Sequence, residues 1–344
     1  MIMQGIRVPT VGRPQDTGAY AAEVEKAGFD FLWIPDTPWL AGRWRDVYVH
    51  LTACALATDR IRLGPGVTNP LTRHPLATGS AIQAVNEASE GRADLVYGTG
   101  YSSAYIIGEK AATLAQMRKA AALWRSAFNG DSTTLPGLEV TLSPSSPELP
   151  IYMAASGPKA LQTAGEIADG VLIMVGAAPG AVSWAIEQVE IGMARLGRSR
   201  EAVKRFIVVT ACVDDDEQRA LDTVRPQTAM LYRYSASRTL LERAGLEAPD
   251  TLPPLPSVYP DLGHAVDWEA AKAATRYVPD EAVRAMMAAG SAAVVAARAK
   301  ELMALDIDGL WWRDEASYQR PDGLVKALSE DVLPAVRAWE RERG

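Results

Sequence analysis

The chain has 344 residues, of which 48% are apolar and 22% are charged, a composition typical of a globular enzyme with a sizeable core. With 35 Lys and Arg against 42 Asp and Glu, the formal net charge is −7, which argues against general nucleic-acid binding and against binding to an anionic membrane surface. Two cysteines are too few for a disulfide framework. No apolar run approaches the roughly 20 residues of a membrane span, and the N-terminus lacks a signal-peptide pattern. We therefore expect a cytoplasmic protein with no nucleic-acid and no membrane partner.

Short β-branched runs alternate with longer helical patterns along the chain. The eight predicted strands lie near residues 2, 29, 62, 93, 151, 171, 205 and 309, and helical spacing predicts the connections between them. This order indicates βαβ units and a parallel sheet. Eight strands with intervening helices favour an α/β fold of the (β/α)8 TIM barrel type over an open sheet, because a closed barrel leaves no edge strand.

Two segments do not fit this repeat. Residues 131–150 are rich in Pro, Ser, Thr and Gly and are predicted to be a loop. Residues of about 243–278 hold five prolines and few periodic apolar positions. We interpret the second segment as an irregular insertion between strands seven and eight of a single domain spanning residues 1–344. Such insertions are often active-site lids, and a surface loop without a role is the alternative.

The active site of such a barrel lies at the C-terminal ends of the strands. After the fourth predicted strand comes Gly98-Thr99-Gly100-Tyr101-Ser102-Ser103, whose small residues allow backbone N–H groups to approach an anion. Its match to a dinucleotide fingerprint is weak, because Ser103 replaces the third glycine.

A second such turn follows the fifth predicted strand, at Ala155-Ser156-Gly157-Pro158-Lys159. Ser156 suits an N-cap and Pro158 suits the first turn of a helix. A helix N-terminus is an anion site, although a well-capped helix with no ligand fits this segment equally well. Two such turns on neighbouring strands favour a phosphate site.

The third strand ends unusually, in Gly64-Pro65-Gly66-Val67-Thr68-Asn69-Pro70. Glycine and proline within a strand indicate a bulge or the close approach of a ligand, so a planar ring can rest against this surface. A simple barrel bulge is the alternative.

Other catalytic classes find no support in the sequence. The three histidines, His50, His74 and His264, show no metal-ligand spacing, and there is no cysteine cluster, so we predict no metal site. Neither a Gly-x-Ser-x-Gly elbow nor a Walker loop is present.

These motifs together resemble the luciferase-like oxidoreductases, the bacterial luciferase-like monooxygenase superfamily. Within it the chain looks most similar to the branch that uses the deazaflavin coenzyme F420 and includes methylenetetrahydromethanopterin reductase. The segments that carry the resemblance occur in the family's order and are residues 57–70, Thr72-Arg73-His74-Pro75, Glu90-Gly91-Arg92, residues 154–160 and Ala168-Asp169-Gly170.

The resemblance implies roles for the matching positions. Gly66 and Val67, followed by Thr68 and Asn69, would form a bulge behind the flavin or deazaflavin ring, often with a non-prolyl cis peptide. Asp36 would lie beside the polar edge of the ring. The residues implied to hold the cofactor phosphate, mainly through backbone N–H groups, are Gly100, Tyr101, Ser102, Ala155, Ser156, Gly157 and Pro158.

The sequence also departs from the family pattern. Asp36-Thr37 stands where many F420-using relatives have Asp-His, and Tyr101 stands where the sugar-phosphate dehydrogenases have a glutamate. The catalytic candidates that remain are Asp36 and Tyr101. The resemblance implies an F420-dependent oxidoreductase that moves hydride between the reduced deazaflavin and a small organic substrate, in a homodimer. The alternatives are a two-component monooxygenase that uses reduced FMN and O₂, and a barrel that binds cofactor without chemistry.

Overall fold

The computed structural model describes residues 1–10, 12–135, 138–141, 144, 148–254, 257–315 and 317–343. In chain order its strands are β1 (Met3–Arg7), β2 (Phe31–Ile34), β3 (Arg62–Pro65), β4 (Leu95–Tyr97), β5 (Ser132–Leu135), β6 (Leu138–Thr141), β7 (Ile151–Ala155), β8 (Gly170–Ile173), β9 (Lys204–Val213), β10 (Ala288–Gly290) and β11 (Gly309–Arg313).

The helices surround the strands. They are α1 (Pro14–Lys26), α2 (Val47–Ala57), α3 (Pro75–Ala88), α4 (Tyr101–Ile106), α5 (Leu114–Asn129), α6 (Pro158–Ile167), α7 (Pro179–Arg195), α8 (Glu217–Leu231), α9 (Ser237–Arg243), α10 (Trp268–Ala274), α11 (Asp280–Met286), α12 (Ala292–Met303), α13 (Asp322–Ala327) and α14 (Leu333–Arg343). Within the described ranges no helix combines the length and apolar character that a membrane span requires.

Eight of the strands form a parallel barrel. Their order is β3-β2-β1-β11-β9-β8-β7-β4, with every neighbouring pair parallel. Parallel bridges from Leu63 to Ala93 and from Thr68 to Tyr97 join β3 to β4 and so complete the ring. The predicted (β/α)8 TIM barrel is therefore confirmed.

The structure adds elements that the sequence pattern did not predict. The predicted loop at 131–150 contains an antiparallel hairpin of β5 and β6. The long strand β9 extends beyond its neighbours, and its last residues, Ala211–Val213, pair with β10. The insertion lies between β9 and β11 as predicted, but it is not wholly irregular, because it includes α10 and a 3-10 turn at Leu262–His264.

The barrel interior is filled by aromatic side chains. Phe31 and Trp33 of β2 point inward and pack with the rings of Tyr152 and Phe206, and Trp33 also packs with Trp311. All five side chains are buried. Val67 and Met174 pack against this cluster but are only partly buried. The cluster therefore forms the floor of the barrel mouth.

The N-terminal end of the barrel explains two of the family-like segments. The Glu25 carboxylate of α1 accepts hydrogen bonds from the N–H groups of Asp59, Arg60 and Ile61 at 3.2, 2.6 and 2.7 Å. The Arg92 guanidinium donates to carbonyl oxygens at the end of α2 and to Ile61 O. These segments hold the chain entering β3 and β4, far from the strand ends where chemistry occurs.

Replacing Glu25 by Gln is expected to lower the free energy of unfolding by about 2 kcal/mol at neutral pH, because charge-assisted bonds to backbone N–H groups are lost. Burial raises the pKa of this carboxyl, but the three N–H donors outweigh it and hold the pKa below its usual range. The stabilisation is therefore present above the unfolded-state pKa and is lost as the pH falls through the native one. Denaturant titration measures the free energy of unfolding, and Glu23→Gln, on the exposed face of the same helix, is the control. An equal loss of stability in the two variants would contradict the prediction.

Candidate active site

The third strand changes partner at a kink. The Gly66 N–H still donates to Ile34 O of β2, at 2.7 Å, and the Gly66–Val67 peptide bond is cis. Two residues after Gly66, the Thr68 N–H donates to Val96 O at 3.0 Å, and Thr68 O accepts from the Gly98 N–H at 2.8 Å. The bulge that the sequence predicted at residues 64–70 is therefore present, with the cis peptide that the resemblance implied.

Small residues from three strands meet beside this kink. A Cβ atom added to Gly98 would lie 3.0 Å from Val67 Cγ2 and 3.5 Å from Ala154 Cβ. We call Val67, Gly98 and Ala154 the ledge. A Cβ atom on Gly66 would lie 2.6 Å from Trp33 Cβ and 2.9 Å from Trp311 Cζ2, so the ledge rests on the aromatic floor. Only glycine fits at 66 and 98 without displacing these neighbours.

The two predicted phosphate turns leave the barrel side by side. β4 and β7 are paired in parallel up to Tyr97 opposite Met153, so the residues that follow, 98–101 and 154–157, emerge at the same end. Gly100 has a left-handed backbone with φ of 73°, and a Cβ atom there would lie 2.7 Å from Asn69 Cβ. The first turn is therefore packed directly against the kinked segment.

Asn69 joins the kink to this turn. It is fully buried, its amide nitrogen donates to Ser103 Oγ at 2.9 Å, and its carbonyl accepts from the N–H groups of Leu71 and Thr72. The amide nitrogen and the amide oxygen of Asn69 therefore both have hydrogen-bond partners within the protein. The Asn69 side chain thus fixes the position of the first turn relative to the kink.

The second turn begins α6, but not with the predicted cap. The N-cap is Gly157 rather than Ser156, and Pro158 occupies the first turn as predicted. The fixed φ of proline suits the first helical position, so the cap falls on the residue just before it. Since glycine has no side chain, no side-chain cap occupies the N–H groups at this end of the helix.

Asp36 lies at the centre of a buried hydrogen-bond network. Its Oδ2 accepts from Thr68 Oγ1 and from Arg73 Nη1, both at 2.7 Å. Tyr48 Oη donates to Thr68 Oγ1 at 3.4 Å. The Oδ1 atom is buried and has no hydrogen-bond partner among the described residues. Burial, opposed by Arg73, raises the pKa of the Asp36 carboxyl above its usual value.

Sequence reasoning missed the partners of Asp36. Arg73 bridges two carboxylates, with Nη2 2.7 Å from Asp46 Oδ2, and its guanidinium lies 5.0 Å from the centroid of the Tyr48 ring. Arg73 stood within the segment Thr72–Pro75 that carried the resemblance, but nothing in that spacing identified its partner. Asp46 could have been found as a helix cap, because aspartate is a favoured N-cap residue. It accepts hydrogen bonds from Tyr48 N and Val49 N at the start of α2.

Tyr101, the other catalytic candidate, is placed differently. Its side chain is 64% exposed, and its hydroxyl has no hydrogen-bond partner in the part of the chain that the structure describes. Ser102, next to it, donates to Asp261 Oδ2 at 3.1 Å and lies 3.4 Å from His264 Nδ1. The structure therefore brings the insertion to the first phosphate turn, but it does not join Tyr101 to the Asp36 network.

The other histidines have structural contacts. His50 is buried with Nδ1 2.8 Å from Thr17 Oγ1, and His74 caps α3 by accepting from Leu76 N. Among the described residues, no three His, Cys, Asp or Glu side chains are grouped as metal ligands.

Known proteins share this architecture. The model for the luciferase-like monooxygenase family matches residues 3–308. The 5,10-methylenetetrahydromethanopterin reductase of Archaeoglobus fulgidus is 37% identical over 238 residues, which cover 66% of this chain and 69% of that protein. An F420-dependent glucose-6-phosphate dehydrogenase from Beutenbergia cavernae is 26% identical over 346 residues, which cover 96% of this chain and 95% of that protein.

Solved structures agree on the fold. The coenzyme F420 dependent tetrahydromethanopterin reductase from Methanopyrus kandleri superposes with a TM-score of 0.75 and 23% identity, over 97% of this chain and 99% of that one. The FMN complex of the oxygenating constituent of 3,6-diketocamphane monooxygenase from Pseudomonas putida superposes with a TM-score of 0.68 and 14% sequence identity. The match covers 97% of this chain and 98% of that one. The chain therefore belongs to the luciferase-like monooxygenase family, as its motifs predicted.

Proposed function

We propose that this protein is an F420-dependent oxidoreductase that transfers hydride between the reduced deazaflavin and a small organic substrate. The observation that carries the proposal is the ledge: at the kink that follows β3, Val67 meets Gly98 and Ala154, directly beside the two turns at 98–101 and 154–157. The relatives named for F420 support the cofactor, since they include F420-dependent glucose-6-phosphate dehydrogenases and the solved coenzyme F420 dependent tetrahydromethanopterin reductase.

The residues present fit a deazaflavin. The ledge presents small and branched side chains to a ring, and the buried Oδ1 of Asp36, which no described residue contacts, calls for a hydrogen-bond donor. A ring N–H group of a bound deazaflavin would supply such a donor. Gly66, Val67, Thr68 and Asn69 would support the ring in this arrangement.

The two turns would hold the cofactor phosphate. The backbone N–H groups at Gly100, Tyr101 and Ser102 and at Ala155, Ser156 and Gly157, with Pro158 opening α6, are the groups that we propose for this role. Within the described ranges no side chain caps α6, so a cap does not occupy the N–H groups that follow Pro158 in its first turn.

The chain's own contribution to catalysis is orientation and control of one proton. A bound deazaflavin supplies the hydride. Arg73 and Thr68 fix Asp36 through Oδ2, and the raised pKa allows its carboxyl to hold a proton at a higher pH than an exposed carboxyl can. We propose Asp36 as the main catalytic group and keep Tyr101 as the second candidate.

The insertion would close this site. Gly263 O accepts from Gln227 Nε2 at 2.9 Å, and His264 O accepts from Tyr318 Oη at 2.7 Å, while Asp261 accepts from Ser102. The segment at 243–278 thus spans from α8 to the first phosphate turn. We propose that it is a lid that excludes water when substrate is bound.

The cofactor choice is tested by titrating the protein with F420 and with FMN and following the fluorescence of each. We expect saturable F420 binding at least tenfold tighter than FMN binding, and slower hydrogen exchange in residues 257–278 when F420 is bound. Tight FMN binding without F420 binding would instead favour the two-component monooxygenase, the activity class of distant structural neighbours. The homodimer and the cytoplasmic location stay predictions.

A further inference from the structure

The insertion brings a histidine to the mouth of the barrel. His264 ends the 3-10 turn at Leu262–His264, and residues that follow three different strands surround it. Ser102, after β4, lies with its Oγ 3.4 Å from His264 Nδ1. The ring of Trp44, after β2, is perpendicular to the imidazole at 6.1 Å between centroids, and Tyr318, after β11, donates to His264 O. Because parallel strands end at the same face of a barrel, this histidine lies over that face.

A carboxylate fixes the orientation of the imidazole. Asp261 Oδ1 lies 2.9 Å from His264 Nδ1, and it also accepts from the Gly263 N–H at 2.9 Å. Burial raises the pKa of the Asp261 carboxyl, but the imidazole and the hydrogen bonds to the carboxylate outweigh burial and hold the pKa below its usual value. Since an ionised carboxylate can only accept, the proton of the neutral imidazole is on Nδ1, and Nε2 carries the lone pair.

The second ring nitrogen is free. His264 Nε2 has no hydrogen-bond partner in the part of the chain that the structure describes, and it is open to solvent, since the side chain is 23% exposed and the atom is not buried. The other two histidines lack this combination. His50 is buried against Thr17, and His74 uses its Nδ1 to cap α3. A carboxylate on one nitrogen and a free second nitrogen is the arrangement of a general acid or base.

The place of His264 suits a substrate. A ring that rests on the ledge has the aromatic floor on one side, so a substrate can reach only its other side, which faces the mouth and the insertion. Asp36 lies at the kink instead, where Thr68 donates to it, beside the edge of such a ring. Asp36 is therefore placed to serve the ring, and His264 is placed to serve a substrate above the ring.

We propose that His264 exchanges the proton of the substrate and that Asp261 is its positioning residue. The inference rests on the proposed function, and it names the substrate class as compounds with a polar C=O or C=N bond. When hydride adds to the carbon of that bond, an electron pair of the bond moves to the oxygen or nitrogen, and Nε2–H of the protonated imidazole supplies the proton there. The substrate gains the two electrons that the reduced deazaflavin loses, and the neutral imidazole regains its proton from water. Oxidation of the alcohol or amine is the reverse.

One substitution separates this role from a purely structural one. The amide nitrogen of asparagine can take the place of Nδ1 and keep the bond to Asp261, but nothing then stands at Nε2. In His264→Asn we expect F420 affinity and the hydrogen exchange of residues 257–278 to be unchanged. The rate at which acetone, cyclohexanone or N-benzylidenemethylamine oxidises reduced F420 is expected to fall about a hundredfold or more. The melting temperature of the free variant reports whether it folds.

The pH dependence gives a second readout. An acid must be protonated to act, so the rate of carbonyl reduction by the parent protein is expected to fall as the pH rises from about 6 to about 9, and His264→Asn to lose most of that dependence. The titratable groups beside His264 are Asp261 and Tyr318, and the guanidinium of Arg43 lies 5.2 Å from the centroid of the Tyr318 ring. Burial raises the pKa of Tyr318 and that of Asp261 is lowered, so neither changes charge in this range.

A third readout needs no turnover. Diethyl pyrocarbonate acylates accessible neutral imidazoles, and peptide mass spectrometry locates the product among the three histidines of the chain. We expect His264 to react and His50 to stay unmodified. F420 together with cyclohexanone is expected to protect His264 more than F420 alone does, because the substrate then occupies Nε2.

The outcomes separate the two proposals. If F420 binds but His264→Asn is as active as the parent protein with the same pH profile, the role of His264 is overturned and the cofactor stands. The same conclusion follows if His264 does not react with diethyl pyrocarbonate, or if none of the three compounds oxidises reduced F420. Absence of F420 binding would instead overturn the proposed function, and this inference with it.

Discussion

Replacing Arg73 by Met is expected to lower the free energy of unfolding by about 3–5 kcal/mol at pH 8, because it leaves the Asp36 carboxylate buried without its counter-charge. The Asp36 side chain is 1% exposed and loses the partner at 2.7 Å, keeping only Thr68 Oγ1. Methionine keeps a hydrocarbon stem of similar length but lacks the guanidinium that lies over the Tyr48 ring, so the pH dependence of the loss is needed to separate charge from packing. Denaturant titration measures it.

The pH dependence identifies the source of this loss. Burial already raises the pKa of Asp36, and without the attraction of Arg73 it rises further. A raised native pKa means that the ionised form is disfavoured in the folded state. The extra cost of Arg73→Met is therefore fully present above the native pKa of the variant, shrinks as the pH falls from that pKa towards the lower native pKa of the parent protein, and is lost below both. The same loss at pH 5 as at pH 8 would show that packing, and not the charge of Asp36, is responsible.

Two further variants serve as controls. Asp46→Asn removes the other carboxylate that Arg73 contacts, but Asp46 is 47% exposed and Asn is an equally good N-cap for α2. It should cost about 1 kcal/mol or less. The double variant Asp36→Asn with Arg73→Met should recover part of the loss, since it removes the unpaired charge as well.

The barrel was predictable because alternating short apolar runs and helical spacing are local signals. The elements that were missed depend on tertiary partners. Met286-Met287-Ala288-Ala289 has a helical composition, yet residues 288–290 form β10 because the long strand β9 leaves an edge to be paired. The β5–β6 hairpin lies in a segment whose Pro, Ser, Thr and Gly content predicts turns but says nothing about pairing.

The site shows the same division. Glycine and proline in a strand indicated the kink at Gly66, and the position of Asp36 after β2 indicated a role at the barrel mouth. The partner of Asp36, Arg73, is 37 residues away in sequence, and spacing does not select which of many arginines pairs with it.

Replacing Gly157 by Asp is expected to weaken F420 binding more than a hundredfold while leaving the protein as stable as before or slightly more so. Gly157 has φ of −89° and ψ of 156°, a conformation open to any residue, and a Cβ atom there would meet Ser235 Oγ, which can move, at 3.0 Å. Aspartate is a favourable N-cap, which predicts a stability gain of a few tenths of a kcal/mol.

The loss of affinity follows from charge. A carboxylate at this position would lie roughly 5 Å from a phosphate bound at the turn, and at an effective dielectric constant of about 20 the repulsion is about 3 kcal/mol. That energy corresponds to more than a hundredfold in the dissociation constant. Gly157→Asn has the same shape and the same capping ability without the charge. Gly157→Asn should therefore weaken F420 binding only to the extent that the asparagine side chain competes with the phosphate for the backbone N–H groups.

A deazaflavin that lacks the phosphate completes the comparison. It should bind the Asp and Asn variants equally, because nothing then repels the carboxylate. F420 bound equally by both variants would mean that its phosphate lies elsewhere, even if the ring rests on the ledge. If Gly157→Asp lowers the affinity for F420 without lowering the stability of the protein, the fold is intact and the anion site is what has been damaged. Only a phosphate held at the Gly157 turn predicts that combination.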